Sequence, residues 1–208
     1  MKIKIIDNFL KKKDLDKLTN LSLNECKENK MKVYHNSIRG IEVLNSECIN
    51  KELLKNLNSN YHEMALSILG ELCPEKLDLY DYSEFHIIEI GKYFKFPIHE
   101  DTPNKLLSGV IYLKPSKNIG TNFFSSMTGK EKKTVDWKIN RGVFFSRKEK
   151  KTWHSFEGDG KSNRLALVYN LMTNNIKEVY KVEGKNYFFG MMRYKLNPYI
   201  YRYFKFTI

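Results

Sequence analysis

Arg164-Leu165-Ala166-Leu167-Val168-Tyr169-Asn170-Leu171 alternates: Leu165, Leu167 and Leu171 share one side of an extended chain, and Arg164, Ala166 and Val168 share the other. A period of two in a run of aliphatic residues predicts a strand. Working back from it, runs rich in Ile, Val, Phe and Tyr recur at residues 84–90, 106–113, 121–125, 135–139, 142–146 and 152–156. Turn signals separate them, at Gly91, Pro115, Asn140-Arg141-Gly142 and Gly158-Asp159-Gly160. Many short strands at this spacing predict a sandwich or jelly roll rather than a parallel sheet with crossover helices.

The first third reads differently. After a short opening strand at residues 3–6, Asp14 can cap a helix running to about Glu28, with Leu15, Leu18 and Leu21 on one side. A second helix is predicted after Asn50, with Leu53, Leu57, Tyr61, Met64, Ala65 and Ile68 at spacings of three and four, ending near Gly70 ahead of Pro74. No repeat or linker divides the 208 residues. The expected organisation is one domain: a helical part at about 1–79 packed on one sheet, a β core at about 80–173, and an aromatic, basic extension at about 174–208. In that extension the alternation from Tyr199 to Phe206 predicts an extra strand or a dimer contact, while cations interleaved with aromatics could also stack bases.

Hydrophobic residues at 41% and charged residues at 29% describe an ordinary globular chain. No stretch approaches the roughly 20 apolar residues of a membrane span, and the first ten residues lack a signal-peptide pattern, so a soluble, cytoplasmic protein is expected. Cys26, Cys48 and Cys73 have no CxxC spacing and read as reduced, mostly buried thiols. The net charge of +12 could serve a polyanion, but only 6 of the 36 cations are arginine, the residue best suited to reading phosphates and bases. The lysine, asparagine and isoleucine bias matches AT-rich codons instead.

The chemistry concentrates in Ile98-His99-Glu100-Asp101 and Thr152-Trp153-His154-Ser155-Phe156. On an extended segment His99 and Asp101 point the same way and Glu100 points oppositely. Two imidazoles and one carboxylate on one side of an octahedral metal form the facial triad of non-haem Fe(II) oxygenases. Taken alone the pair is also compatible with a loop histidine bonded to Asp101. His35 reads as a surface residue, His62 as solvent-facing, and His86 as a strand residue without a partner at ligand spacing.

With Arg164 ten residues beyond His154, across the Gly158-Asp159-Gly160 turn, the pattern resembles the 2-oxoglutarate- and Fe(II)-dependent dioxygenases, closest to the prolyl-hydroxylase-like branch. The matching elements are His99-x-Asp101, Val110-Ile111-Tyr112-Leu113, His154 and Arg164, with a weaker match at Ile5-Ile6-Asp7-Asn8-Phe9-Leu10. The resemblance implies a double-stranded β-helix, mainly β with flanking helices. It implies Fe(II) on His99, Asp101 and His154, 2-oxoglutarate chelating the metal, and O2 at the remaining position, with ascorbate as an accessory reductant. Arg164 would hold the far carboxylate of 2-oxoglutarate together with the Tyr112 hydroxyl, and Lys95 is the alternative cation. The implied reaction hydroxylates a protein or peptide residue such as proline. The same chemistry on a small metabolite or sugar, a non-catalytic jelly-roll binding module, and a nucleic-acid binder or demethylase are the alternatives. Two positions depart from the family pattern: Ile90 stands where many relatives carry a tyrosine, and Ile119-Gly120-Thr121 stands where they carry Gly-Gly.

Overall fold

The alternating stretch forms β12 (Arg164–Met172), the central strand of a computed structural model that describes residues 2–204. It pairs antiparallel with β5 (Tyr82–Ile90) on one side and β7 (Lys105–Lys114) on the other, so that Ala166 lies between Ile88 and Tyr112. Beyond β7 come β10 (Gly142–Phe145) and β1 (Lys4–Ile6). Beyond β5 come β2 (Met31–Tyr34), β3 (Asn36–Arg39) and β4 (Glu42–Ser46). A second, four-stranded sheet runs β6 (Lys95–His99), β11 (Trp153–Glu157), β8 (Thr121–Phe124) and β9 (Lys133–Val135). These two antiparallel sheets make the expected jelly roll.

The two faces of β12 have different fates. Leu165, Leu167 and Leu171 are buried with Leu53, Leu57, Tyr61 and Ala65 of α2 (Lys51–Leu72), as the helical spacing predicts. Each such leucine contributes about 1.5–3 kcal/mol by leaving water. The Asn50 side chain accepts a hydrogen bond from the Leu53 N–H at 2.8 Å and caps this helix. The other face of β12 looks between the sheets, where Tyr112, Phe123, Val135, Trp137, Val143 and Phe145 form a smaller core.

Several expectations are corrected. The first helix, α1 (Lys12–Thr19), is short, and Asp14 is not its cap: its buried carboxylate accepts the Tyr61 hydroxyl at 2.6 Å. The Thr19 hydroxyl turns back onto the Leu15 carbonyl, and residues 20–30 leave the helix. The part read as helical to residue 79 also contains β2, β3 and β4, which extend the large sheet. Of the run at residues 135–139 only Val135 is strand, as the last residue of β9, and Trp137 lies beyond it. The extension is not a strand but two helices, α3 (Ile176–Val182) and α4 (Tyr187–Phe204); residues 205–208 of that reading lie outside the described ones. The Asn186 side chain accepts from the Phe188 and Phe189 N–H groups and starts α4. Gly190 then lets the Tyr180 ring lie against the helix, where an added Cβ would sit 2.3 Å from it.

All three cysteines are free, Cys26 and Cys73 buried and Cys48 half-buried. Among the described residues, no helix is long and apolar enough to cross a membrane.

Candidate active site

Antiparallel pairing of β6 with β11 sets His99 opposite His154, with ring centroids 4.1 Å apart. Asp101, two residues past the end of β6, completes the group, and the three potential ligand atoms lie within 4.8 Å of one another. Each imidazole is oriented by its own chain: His99 Nδ1 lies 3.0 Å from the Pro97 carbonyl and His154 Nδ1 3.0 Å from the Thr152 carbonyl. A carbonyl only accepts, so Nδ1 carries the proton in both rings and each Nε2 keeps its lone pair. Metal-binding histidines use this arrangement.

Electrostatics favours the same protonation states. Burial, with the neighbouring His154 second, pushes His99 down to about 3. Burial also lowers His154. For Asp101 burial acts against ionisation, but the Lys105 ammonium and the two imidazoles outweigh it and hold the carboxyl below the usual range. Lys105 Nζ reaches Asp101 Oδ1 at 2.8 Å, and the Ser108 hydroxyl donates to Oδ2 at 2.6 Å. Near neutral pH the site offers two neutral imidazoles and one carboxylate, a donor set suited to a divalent transition metal with open positions.

A cavity of about 170 Å³ between the sheets is lined by His99, Asp101 and His154, and also by Arg164, Ala166 and Val168 from β12. Arg164 is buried at 4% exposure, yet it makes no ion pair among the described residues. Its guanidinium donates to the Ile119 and Glu157 carbonyls at 2.9 and 3.3 Å, and it lies 4.7 Å from the Trp137 ring and 5.6 Å from Phe156. Burial draws it down to about 10, so it stays charged at neutral pH. A buried charge without a counter-charge is costly, and an anion in the cavity would relieve it.

Tyr112 is placed differently from expectation. Its ring stacks on Trp137 at 4.3 Å, and its hydroxyl donates to Thr121 Oγ1 at 2.8 Å while accepting the Thr121 N–H at 2.9 Å. With the ring sealed beneath the indole, Thr121 rather than Tyr112 lines the cavity. Of the two departures from the family pattern, Ile90 is another lining residue. Gly120 sits where an added Cβ would lie 1.7 Å from the Val135 carbonyl, so one glycine suffices for that close approach.

The remaining candidates separate from the site. Lys95 is exposed and faces Glu157 at 3.6 Å, so it cannot replace Arg164. His35 is exposed, as expected. His62 is half-buried against Tyr80 rather than solvent-facing, with Nδ1 unpartnered. His86 pairs with Glu84 at 3.2 Å. Ser108, Lys105, Thr121 and Trp137 were missed by sequence reasoning. Ser108 had a visible signal, since it shares a strand face with Tyr112; Trp137 was hidden because its run reads as an ordinary strand. Glu100 does turn away from the triad, but into a second cleft rather than into solvent. This cleft, of about 550 Å³, shares Phe96, His99 and Asp101 with the inner cavity.

No family model matches the sequence, and no curated protein does. Solved structures do match the fold. A prolyl-4-hydroxylase from Pseudomonas putida is 15% identical, with 83% of this chain and 93% of that one covered and a TM-score of 0.56. A prolyl hydroxylase from Trichoplax adhaerens, solved in complex with a hypoxia inducible factor oxygen degradation domain peptide fragment, is 15% identical over 85% of this chain and 86% of that one, with a TM-score of 0.57. An oxidoreductase of the 2OG-Fe(II) oxygenase family from Burkholderia pseudomallei is 16% identical over 83% and 85%, with a TM-score of 0.57. The jelly roll that brings His99, Asp101 and His154 together is thus the fold of the prolyl hydroxylases and 2-oxoglutarate–Fe(II) oxygenases.

Proposed function

We propose that the chain is an Fe(II)- and 2-oxoglutarate-dependent oxygenase that hydroxylates a residue of a protein or peptide, with proline the first to test. One observation carries this reading: a buried guanidinium without a carboxylate partner shares a small cavity with a His-Asp-His triad. The peptide bound by the Trichoplax adhaerens relative supports the choice of substrate class.

His99 and His154 would hold Fe(II) through Nε2, and Asp101 through its carboxylate. Lys105 and Ser108 keep that carboxylate ionised and oriented. Arg164 would clamp the distal carboxylate of 2-oxoglutarate, its planar fork supplying parallel charge-assisted hydrogen bonds. Tyr112 acts one step back, fixing Thr121 in the cavity wall. Apolar neighbours such as Ile88, Ile90 and Val168 exclude water from the cavity. When bound, the iron and cosubstrate with O2 supply the oxidising chemistry, converting 2-oxoglutarate and a substrate C–H into succinate, CO2 and C–OH.

Anaerobic addition of Fe(II) and then 2-oxoglutarate should produce a metal-to-ligand absorption band, and admitting O2 should release succinate slowly even without substrate. Both should vanish in a folded His154→Ala protein. A band with no succinate across broad substrate panels would make the chain a binding module instead.

A further inference from the structure

Helix α4 has two unlike sides. At roughly 100° per residue, Phe188, Tyr199, Met192, Leu196 and Phe189 fall within one arc of about 100°. Gly190 and Asn197 lie on the other side, where Gly190 takes the Tyr180 ring and Asn197 lines the cleft beside the triad. The five residues of the outer arc are 42–70% exposed. Single apolar residues are ordinary on a surface, but a stripe along a helix marks an interaction site.

The charge beside the stripe has one sign. No carboxylate stands on α4. Its Arg193 reaches Glu149, which lays the loop of residues 147–151 against the helix. Lys148, Lys150 and Lys151 of that loop are exposed, as are Lys185 just before α4 and Lys195 within it. None of these five lysines has an ion pair among the described residues. The nearby acids are already neutralised, Glu149 by Arg193 and Glu183 by Lys76 and Arg147.

Three occupants fit such a face unequally. A second copy would bring together two bodies of net charge +12 and two sets of these lysines. A nucleic acid matches the charge, but Met192 and Leu196 in the stripe offer no ring on which a base could stack. An anionic bilayer answers both features: its acyl boundary takes apolar side chains of any shape, and its headgroups take lysines. With Arg193 and Lys195 inside it, α4 can lie along that surface, and it is not apolar enough to cross.

We propose that α4 docks the protein on an anionic membrane surface, with Phe188, Phe189, Met192, Leu196 and Tyr199 entering the interface and the five lysines meeting acidic headgroups. The inner side of the same helix borders the cleft at the triad, so docking holds that cleft close to the bilayer. This surface stands independently of the oxygenase reading.

The test is co-sedimentation of the full chain with vesicles of phosphatidylcholine alone or with about one third phosphatidylserine. The protein should sediment with the anionic vesicles and not with the neutral ones, and added salt should release part of it. Phe188→Ser combined with Tyr199→Ser should weaken vesicle binding by about tenfold or more, and Lys150→Glu with Lys151→Glu by a similar factor. Neither pair lies in the cavity with Arg164, so the unfolding midpoint and 2-oxoglutarate binding should stay as in wild type. A gain-of-signal measurement guards against a folding artefact: Leu196→Trp should add an emission component that shifts to the blue on anionic vesicles. No binding to anionic vesicles, equal binding to neutral ones, or no shift from Leu196→Trp would overturn the proposal. So would a wild-type dimer in sedimentation velocity that Phe188→Ser with Tyr199→Ser makes monomeric without any vesicle binding, which would assign the stripe to a second copy. Retention of a single-stranded oligonucleotide in place of vesicles would overturn it in favour of nucleic acid.

Discussion

Arg164 and Arg147 are buried almost equally, at 4% and 3% exposure, yet they are held in opposite ways. Arg147 meets the Glu183 carboxylate at 2.7 Å, and Glu183 also takes Lys76. Arg164 has only carbonyl oxygens and aromatic faces around it. His62 is a third case, a half-buried base whose Nδ1 is buried without a hydrogen-bond partner. An imidazole in that position can discard its charge, and burial lowers His62 accordingly. A guanidinium cannot do so at neutral pH. A cation matched by its own chain serves stability; one that can neither neutralise nor find an anion is, on the proposed oxygenase reading, the one that would meet an anionic ligand.

The contrast breaks first at Glu183. Glu183→Ala leaves Lys76 and Arg147 buried without their carboxylate, which should lower stability by about 3–5 kcal/mol. The measurement is the urea midpoint at constant slope, and a loss below about 1 kcal/mol would show that the network is not cohesive. Arg164→Ala should do the reverse, leaving the unfolding midpoint near wild type while raising the 2-oxoglutarate Kd by roughly 10² or more. Arg164→Lys should fall between the two. Anaerobic titration of the Fe(II) protein reads the affinity, and wild-type binding by Arg164→Ala would end the cosubstrate assignment.

Tyr112→Phe sharpens the comparison at smaller scale. Loss of the hydroxyl leaves the Thr121 N–H and side chain without their buried partner, a stability cost of about 1–3 kcal/mol. The effect on 2-oxoglutarate should be slight; a stable variant with greatly weakened 2-oxoglutarate binding would return the hydroxyl to direct contact. The smallest effect belongs to His62. Because its folded pKa lies below its ordinary 6.5, the unfolded chain takes up a proton that the folded one resists. Its contribution is therefore complete above pH 6.5 and declines as the pH falls below it. His62→Phe should flatten that part of the stability–pH curve, and an unchanged slope would locate the acid sensitivity elsewhere.

The sequence was legible where side chains repeat with the backbone. Alternation in β12 placed Arg164 inward and Leu165 outward, and the spacing of His99, Asp101 and His154 survived because β6 and β11 pair directly. It was least legible where local chemistry overrides the pattern. The alternating aromatics near Tyr199 are helical because Asn186 caps α4 and Gly190 admits the Tyr180 ring, neither of which periodicity shows. Strands β2, β3 and β4 are short, and β5, which ties β2 and β3 into the sheet, is distant in sequence. Alternation put Tyr112 on the inner face but did not show its contact with Thr121 or Trp137, because the indole that covers it comes from a segment outside its own strand.

The chain's two tryptophans divide between the two hollows: Trp137 lies against Arg164, and Trp153 lines the outer cleft. Indole emission responds to nearby charge and to displaced water, so each hollow carries its own optical reporter. A Trp153→Phe protein would signal events beside Arg164, and a Trp137→Phe protein events in the cleft. Rapid mixing of the two proteins with cosubstrate and peptide in turn would give the order of arrival directly, without an attached dye.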